Sequence, residues 1–199
     1  MNIRQPMKRT LLALAAIVAL AATSASSAGA RTDTQTAPSA RNCVITIAPL
    51  QPGATSSATS APRCYATFAQ AIADASNGTV NLPTTATPAA VTDATLAPAL
   101  ATGSSIIGID WIDANYSGAS LTWQVSNPNG CNGYQYSSNV TGSWNNVISS
   151  SKGFTGYDIN PHYDLAYPNQ NNGAKIFCTP NCATMGAMND ATSYEEWRP

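Results

Sequence analysis

Three basic residues, Arg4, Lys8 and Arg9, precede an uncharged run from Leu11 to Ala22, and small polar residues then lead to Ala28, Gly29 and Ala30. That order is the one a secretory leader uses. The run of 12 residues is too short to cross a bilayer as a helix, which takes roughly 20. Residues 1–30 are therefore expected to be removed on export, leaving a secreted, extracellular protein with no membrane attachment. Export constrains the fold more than any other feature, because it places Cys43, Cys64, Cys131, Cys178 and Cys182 where disulfides persist and thiol catalysis is a poor default. Five is odd, so one thiol is expected to remain outside the intramolecular pairs.

The 169 residues after the leader suffice for one domain with an appendage, or for two very small domains. With the three leader cations removed they carry 6 Lys and Arg against 10 Asp and Glu, a balance of −4. No two of those cations lie within five residues of each other, which argues against nucleic-acid binding, since that needs clustered charge to displace counterions from phosphates. Only 10% of the chain is charged, and Ala, Thr, Ser, Asn, Gly and Pro are abundant. Such a texture suits short strands and turns better than long amphipathic helices.

Residues 31–42 lack apolar periodicity and are expected to be a disordered N-terminus. Cys43–Ile47 is a short β-branched run. Tyr65, Phe68 and Ile72 follow helical spacing, and Asn77-Gly78 supplies a stop, so a helix is expected near residues 66–76. Residues 43–78 thus read as a small strand, loop and helix segment tied by Cys43 and Cys64; closing a loop of that length contributes about 3 kcal/mol. In residues 79–103, Ala, Thr and Pro supply 17 of 25 positions, the composition of a linker. From Ser104 short alternating runs appear, with Ile107–Trp111 and Ala119–Trp123 reading as strands.

Within 104–199 the chain repeats itself. Trp111, a turn, Gly118 and ASLTW answer to Tyr167, a turn, Gly173 and AKIF; WNNVISS from Trp144 answers to MNDATSY from Met188. Two such units, each with one apolar face, argue for a sandwich in which each covers the other. Asn145, Asn146, Val147, Ser149 and Asn189, Asp190, Ala191, Ser193 offer amide oxygens, a carboxylate, hydroxyls and backbone carbonyls, the hard donors calcium takes six to eight of.

These residues resemble the calcium motif of microbial βγ-crystallins, Asn/Asp, Asn/Asp, two free positions, Ser/Thr, Ser. NNVISS at 145–150 matches all six positions, and NDATSY at 189–194 matches five, departing at Tyr194. The family's hairpin signature, an aromatic followed after six residues by glycine, is met by Trp111 and Gly118; Tyr167 and Gly173 are one residue short. The resemblance implies a mainly β fold, a two-Greek-key βγ-crystallin-like sandwich over residues 104–199, whose two loops exchange ligands to hold calcium. Asn145, Asn146, the Val147 carbonyl and Ser149 would serve one loop, and Asn189, Asp190, the Ala191 carbonyl and Ser193 the other, with Ser150 as a brace. With one carboxylate in the set, affinity is expected in the weak extracellular range of about 10⁻⁴ to 10⁻³ M.

Other chemistry is thinly represented. His162, the only histidine, has no zinc-type spacing around it and reads as a surface residue; Asp110, Asp113, Asp158 and Asp164 read as solvated turn carboxylates. The four tryptophans are expected in the core. Cys178 and Cys182 fit a mutual bridge, although Cys131 fits either partner. The expected function is that of a secreted, non-enzymatic, monomeric calcium-binding module, acting on stability or adhesion at a cell surface. The alternative is a secreted peptidase inhibitor, since a bacterial metallopeptidase-inhibitor family is similar in fold; residues 126–138 with Cys131 would then present the inhibitory loop. A weaker alternative is a carbohydrate-binding module.

Overall fold

The computed structural model describes residues 41–126 and 133–199. They form a mainly β domain of two sheets and two short helices. One sheet is mixed and six-stranded: β1 (Asn42–Thr46), β2 (Arg63–Tyr65), β3 (Ser105–Asp113), β4 (Ser117–Val125), β6 (Ser150–Gly153) and β9 (Asn181–Cys182), in the order β2-β1-β4-β3-β6-β9. The other is antiparallel: β5 (Tyr136–Asn139), β7 (Asn160–Tyr163), β8 (Lys175–Cys178) and β10 (Tyr194–Trp197), in the order β5-β10-β7-β8. Taking β3–β6 and β7–β10 as two runs of four strands, the third strand of each run pairs in the sheet of the other: β5 lies beside β10, and β9 beside β6. Among the described residues no helix is long and apolar enough to cross a membrane.

Period-two alternation in the six-stranded sheet explains the layering. Cys43 and Ile47 of the first strand segment, with Leu121, Trp123 and Val125 of β4, point into a core shared with the second sheet through Tyr136, Cys178 and Trp197. Val44, Ile109 and Trp111 point the other way, against Phe68, Ala71, Ile72, Leu96 and Ala99 of the helices. Gly108 leaves room for the Trp197 ring from the other sheet, since a Cβ there would collide with it.

The helix expected near 66–76 is α1 (Phe68–Ala75). Thr67 and Gln70 form a reciprocal capping box, each side chain accepting from the other's backbone N–H at 3.2 Å. Its alanines let the helix lie close on the sheet, and Asn77 and Gly78 end it with positive φ. The Cys43–Cys64 bridge joins direct cross-strand partners of β1 and β2, and Cys178 bonds Cys182. Cys131 and residues 1–40 lie outside the described residues, so the leader and most of the N-terminal stretch 31–42 are not addressed.

Two expectations about organisation need correction. Residues 79–103 are not a linker: they carry α2 (Asp93–Leu100), capped by Thr92 and burying Leu96 and Ala99, while Val80 and Val91 are also buried. The composition misleads because a helix resting on a sheet needs only a narrow apolar stripe, which two or three residues supply. Asp93 also accepts the Thr155 N–H at 2.6 Å, tying α2 to the loop after β6. Nor is 43–78 a separate segment, because β1 runs parallel to β4 inside the six-stranded sheet over five register pairs.

Candidate metal centre

The facing sheets enclose three ionisable side chains. Asp110 comes from the middle of β3; His162 and Glu195 are register partners on β7 and β10. Asp110 shares its face of β3 with Gly108, and Glu195 shares its face of β10 with Trp197, so all three point into the space between the sheets. One ligand atom from each lies within 4.8 Å of the others, and all three residues are 0% exposed.

Hydrogen bonding leaves this cluster unfinished. Trp123 Nε1 donates to Asp110 Oδ2 at 2.7 Å. Asp110 Oδ1, both His162 ring nitrogens and both Glu195 oxygens are buried without a well-formed hydrogen bond. His162 Nδ1 lies 3.4 Å from Glu195 Oε2, but burial pushes the imidazole pKa down to about 3, so the contact joins a neutral ring to a carboxyl and is not an ion pair. Burial raises Asp110 to about 6, offset in part by the Ser151 hydroxyl, the Trp123 indole and Glu195. Glu195 is held well above the usual carboxylate range, first by burial and then by the charge of Asp110.

Two carboxylates out of water are costly unless something neutralises them. A divalent ion does so: two carboxylates, a neutral imidazole and a 2+ charge sum to zero, and the neutral ring is the form that ligates. One nitrogen and two oxygens suit zinc and its first-row neighbours. Trp123 then supplies the outer hydrogen bond that fixes Asp110.

His162 and Asp110, expected as solvated surface groups, are fully buried. Asp110 follows Ile109 and precedes Trp111 in a strand buried on both faces, so neither of its sides meets water. Glu195 belongs to no sequence motif, although its parity with Trp197 two residues on is a signal that its side chain faces the core.

The residues expected to bind calcium do come together. Ser149 Oγ donates to Asp190 Oδ1 at 2.8 Å, and Ser193 Oγ donates to Asn146 Oδ1 at 2.9 Å. The backbones match this exchange, with Asn146 N donating to Thr192 O and Asp190 N to Ile148 O. Asn146 and Asp190 both take positive φ. Val147 and Ala191 are half-buried against the core between the sheets, and Asn145 Oδ1 is buried without a partner. Ser150 links its loop to the β3–β4 turn, donating to Asp113 O and accepting from Tyr116 N.

Calcium as the cofactor is nevertheless a correction. Among the described residues, the cluster of His and acidic groups with metal-holding geometry is Asp110, His162 and Glu195, whose imidazole and small carboxylate set suits a transition metal rather than an all-oxygen calcium loop. In the two loops the hydroxyls already serve Asp190 and Asn146, and Asn189 Nδ2 occupies the second Asp190 oxygen at 2.8 Å.

No protein-family model matches the chain, and neither does any curated protein or solved structure.

Proposed function

We propose that this chain is a secreted, non-catalytic β module of the peptidase-inhibitor type, its sheets held together by a divalent transition metal on Asp110, His162 and Glu195. The observation that carries the reading is the cluster itself: three ligating groups, each 0% exposed, within 4.8 Å and drawn from both sheets. A centre so enclosed gives no substrate a path to the ion, so the metal's part is structural. A small exported domain gains from such a tie as it gains from its disulfides.

The relation to βγ-crystallins belongs to the same proposal. It is supported by the exchange of third strands between the two units and by the mirrored bonds between the 145–149 and 189–193 loops. We read the pair as two Greek keys whose loops are closed by hydrogen bonds to each other. The inhibitor reading is supported by a rigid surface element: Phe177, 48% exposed on edge strand β8, adjoins the turn closed by Cys178 and Cys182. Preorganisation of this kind lets a loop enter a protease cleft at low entropic cost. Of the loop expected at 126–138, residues 127–132, with Cys131, lie outside the described residues, while Tyr136, Ser137 and Ser138 are buried in β5.

The test has two arms on the exported, disulfide-intact protein. Stripping with a chelator and titrating with zinc should give one equivalent bound, with a rise in Tm that Asp110→Asn abolishes. Inhibition of a purified thermolysin-like peptidase should be saturable and weakened by Phe177→Ala. No zinc uptake refutes the metal centre, and no inhibition at micromolar protein refutes the inhibitor reading.

A further inference from the structure

Three protein ligands leave a tetrahedral ion one short, and in a fully buried structural site the fourth donor comes from the protein. Several of the groups in the space between the sheets are unsuited. Trp123 and Trp197 carry indole N–H groups, which only donate. Cys178 is committed to its disulfide. Ser151 Oγ is already an acceptor, taking a hydrogen bond of 2.8 Å from Asn160 Nδ2.

Asn160 differs from these. It is 0% exposed and stands on β7 two residues before His162, hence on the same face of the strand. Its amide nitrogen is anchored on Ser151, and Ser151 is the register partner of Asp110 on the neighbouring strand β6. The carboxamide is therefore held beside Asp110 with its nitrogen directed at the hydroxyl. Its oxygen, Oδ1, is buried and has no hydrogen-bond partner. A buried amide oxygen left unpaired is costly, and a cation is the neighbour that would satisfy it together with Asp110 Oδ1 and the Glu195 carboxylate.

We infer that Asn160 is the fourth ligand, through Oδ1, completing a closed site of one nitrogen and three oxygens for a divalent first-row transition metal. This rests on the metal reading above and extends it: the donor set takes no outside ligand, so the ion is held without an exchangeable position. Ser151 becomes the residue that sets which end of the Asn160 amide faces the ion.

Cobalt(II), loaded into the metal-free protein, reports coordination through its visible spectrum, and competition against a chromophoric chelator reports affinity. The wild-type protein should show the intense bands of a four-coordinate ion that do not respond to added azide. Asn160→Leu should lower affinity by at least about tenfold and open a position to azide. Asn160→Asp, which keeps an oxygen and adds charge, should bind more tightly than wild type. Cobalt bound by wild type with weak, six-coordinate bands, or an Asn160→Asp protein that gains no affinity, overturns Asn160 as a ligand while leaving the three-residue centre standing. Should Asn160→Leu fail to fold, the wild-type spectrum and the Asp variant still decide. Wild-type protein that takes up no cobalt overturns the underlying metal reading instead.

Discussion

Without a bound metal the stability of this protein should fall as pH rises above about 6.5, and Glu195 is the reason. Asp110 has a folded pKa raised from 3.8 to about 6, so its stabilising contribution is complete below 3.8 and is lost as pH climbs through 6. His162 has the opposite sign: lowered from 6.5 to about 3, it contributes stability above 6.5 that is lost as pH falls towards 3. Between pH 4 and 6 the two slopes largely cancel. Above 6.5 the histidine has nothing left to add, and Glu195, its pKa raised by burial and by the neighbouring Asp110, is the group whose ionisation in the folded protein still opposes stability as pH climbs. One such group costs about 1.4 kcal/mol per pH unit. The fall continues until Glu195 itself ionises in the folded protein, and for a domain of this size each kcal/mol lost lowers Tm by roughly 2–4 °C. Chemical and thermal denaturation in a chelator should show this slope, and Glu195→Gln should flatten it. Saturating zinc should flatten it too, since the bound carboxylates no longer need the proton. A chelated protein whose stability is level or rises over that range, or a Glu195→Gln protein that keeps the wild-type slope, refutes the argument.

Three further outcomes follow from the packing. Gly108→Ala should destabilise by about 1–3 kcal/mol in urea denaturation, because the added methyl meets the Trp197 ring across the sheets. Leu96→Ala should cost about 2–5 kcal/mol and admit proteases to residues 79–103, where an unstructured linker would lose nothing. Ser149→Ala and Ser193→Ala should each cost about 1 kcal/mol by leaving Asp190 and Asn146 short of a donor. The double variant, compared with the two singles, measures how far the loops act as one unit.

Features set by near neighbours in the chain were legible without coordinates. The stop at Asn77-Gly78, the apolar spacing of α1 and the strands β3 and β4 are local, because each is decided by a few residues of backbone preference and burial. The two oxygen-rich loops were also legible as a pair, since they recur at matching points of a repeat, and they do bond to each other. Their ligand role was not decided by that recurrence, because hydroxyls and amides can satisfy one another as readily as an ion. Nothing in the sequence marks α2 as more than an Ala and Thr run; its burial depends on a sheet face built by joining β1 to β4 and β3 to β6, pairings between distant segments.

Asp110, His162 and Glu195 are separated by 52 and 33 residues and share no motif, so their identity alone says nothing of a site. Their convergence required two sheets to close on each other, with β7 and β10 in register and Gly108 permitting the approach. Local sequence settled which segments turn, cap and alternate. Only the tertiary packing decided that two acids and a histidine would be shut away from water, where burial shifts their protons and makes a shared metal the natural counter-charge.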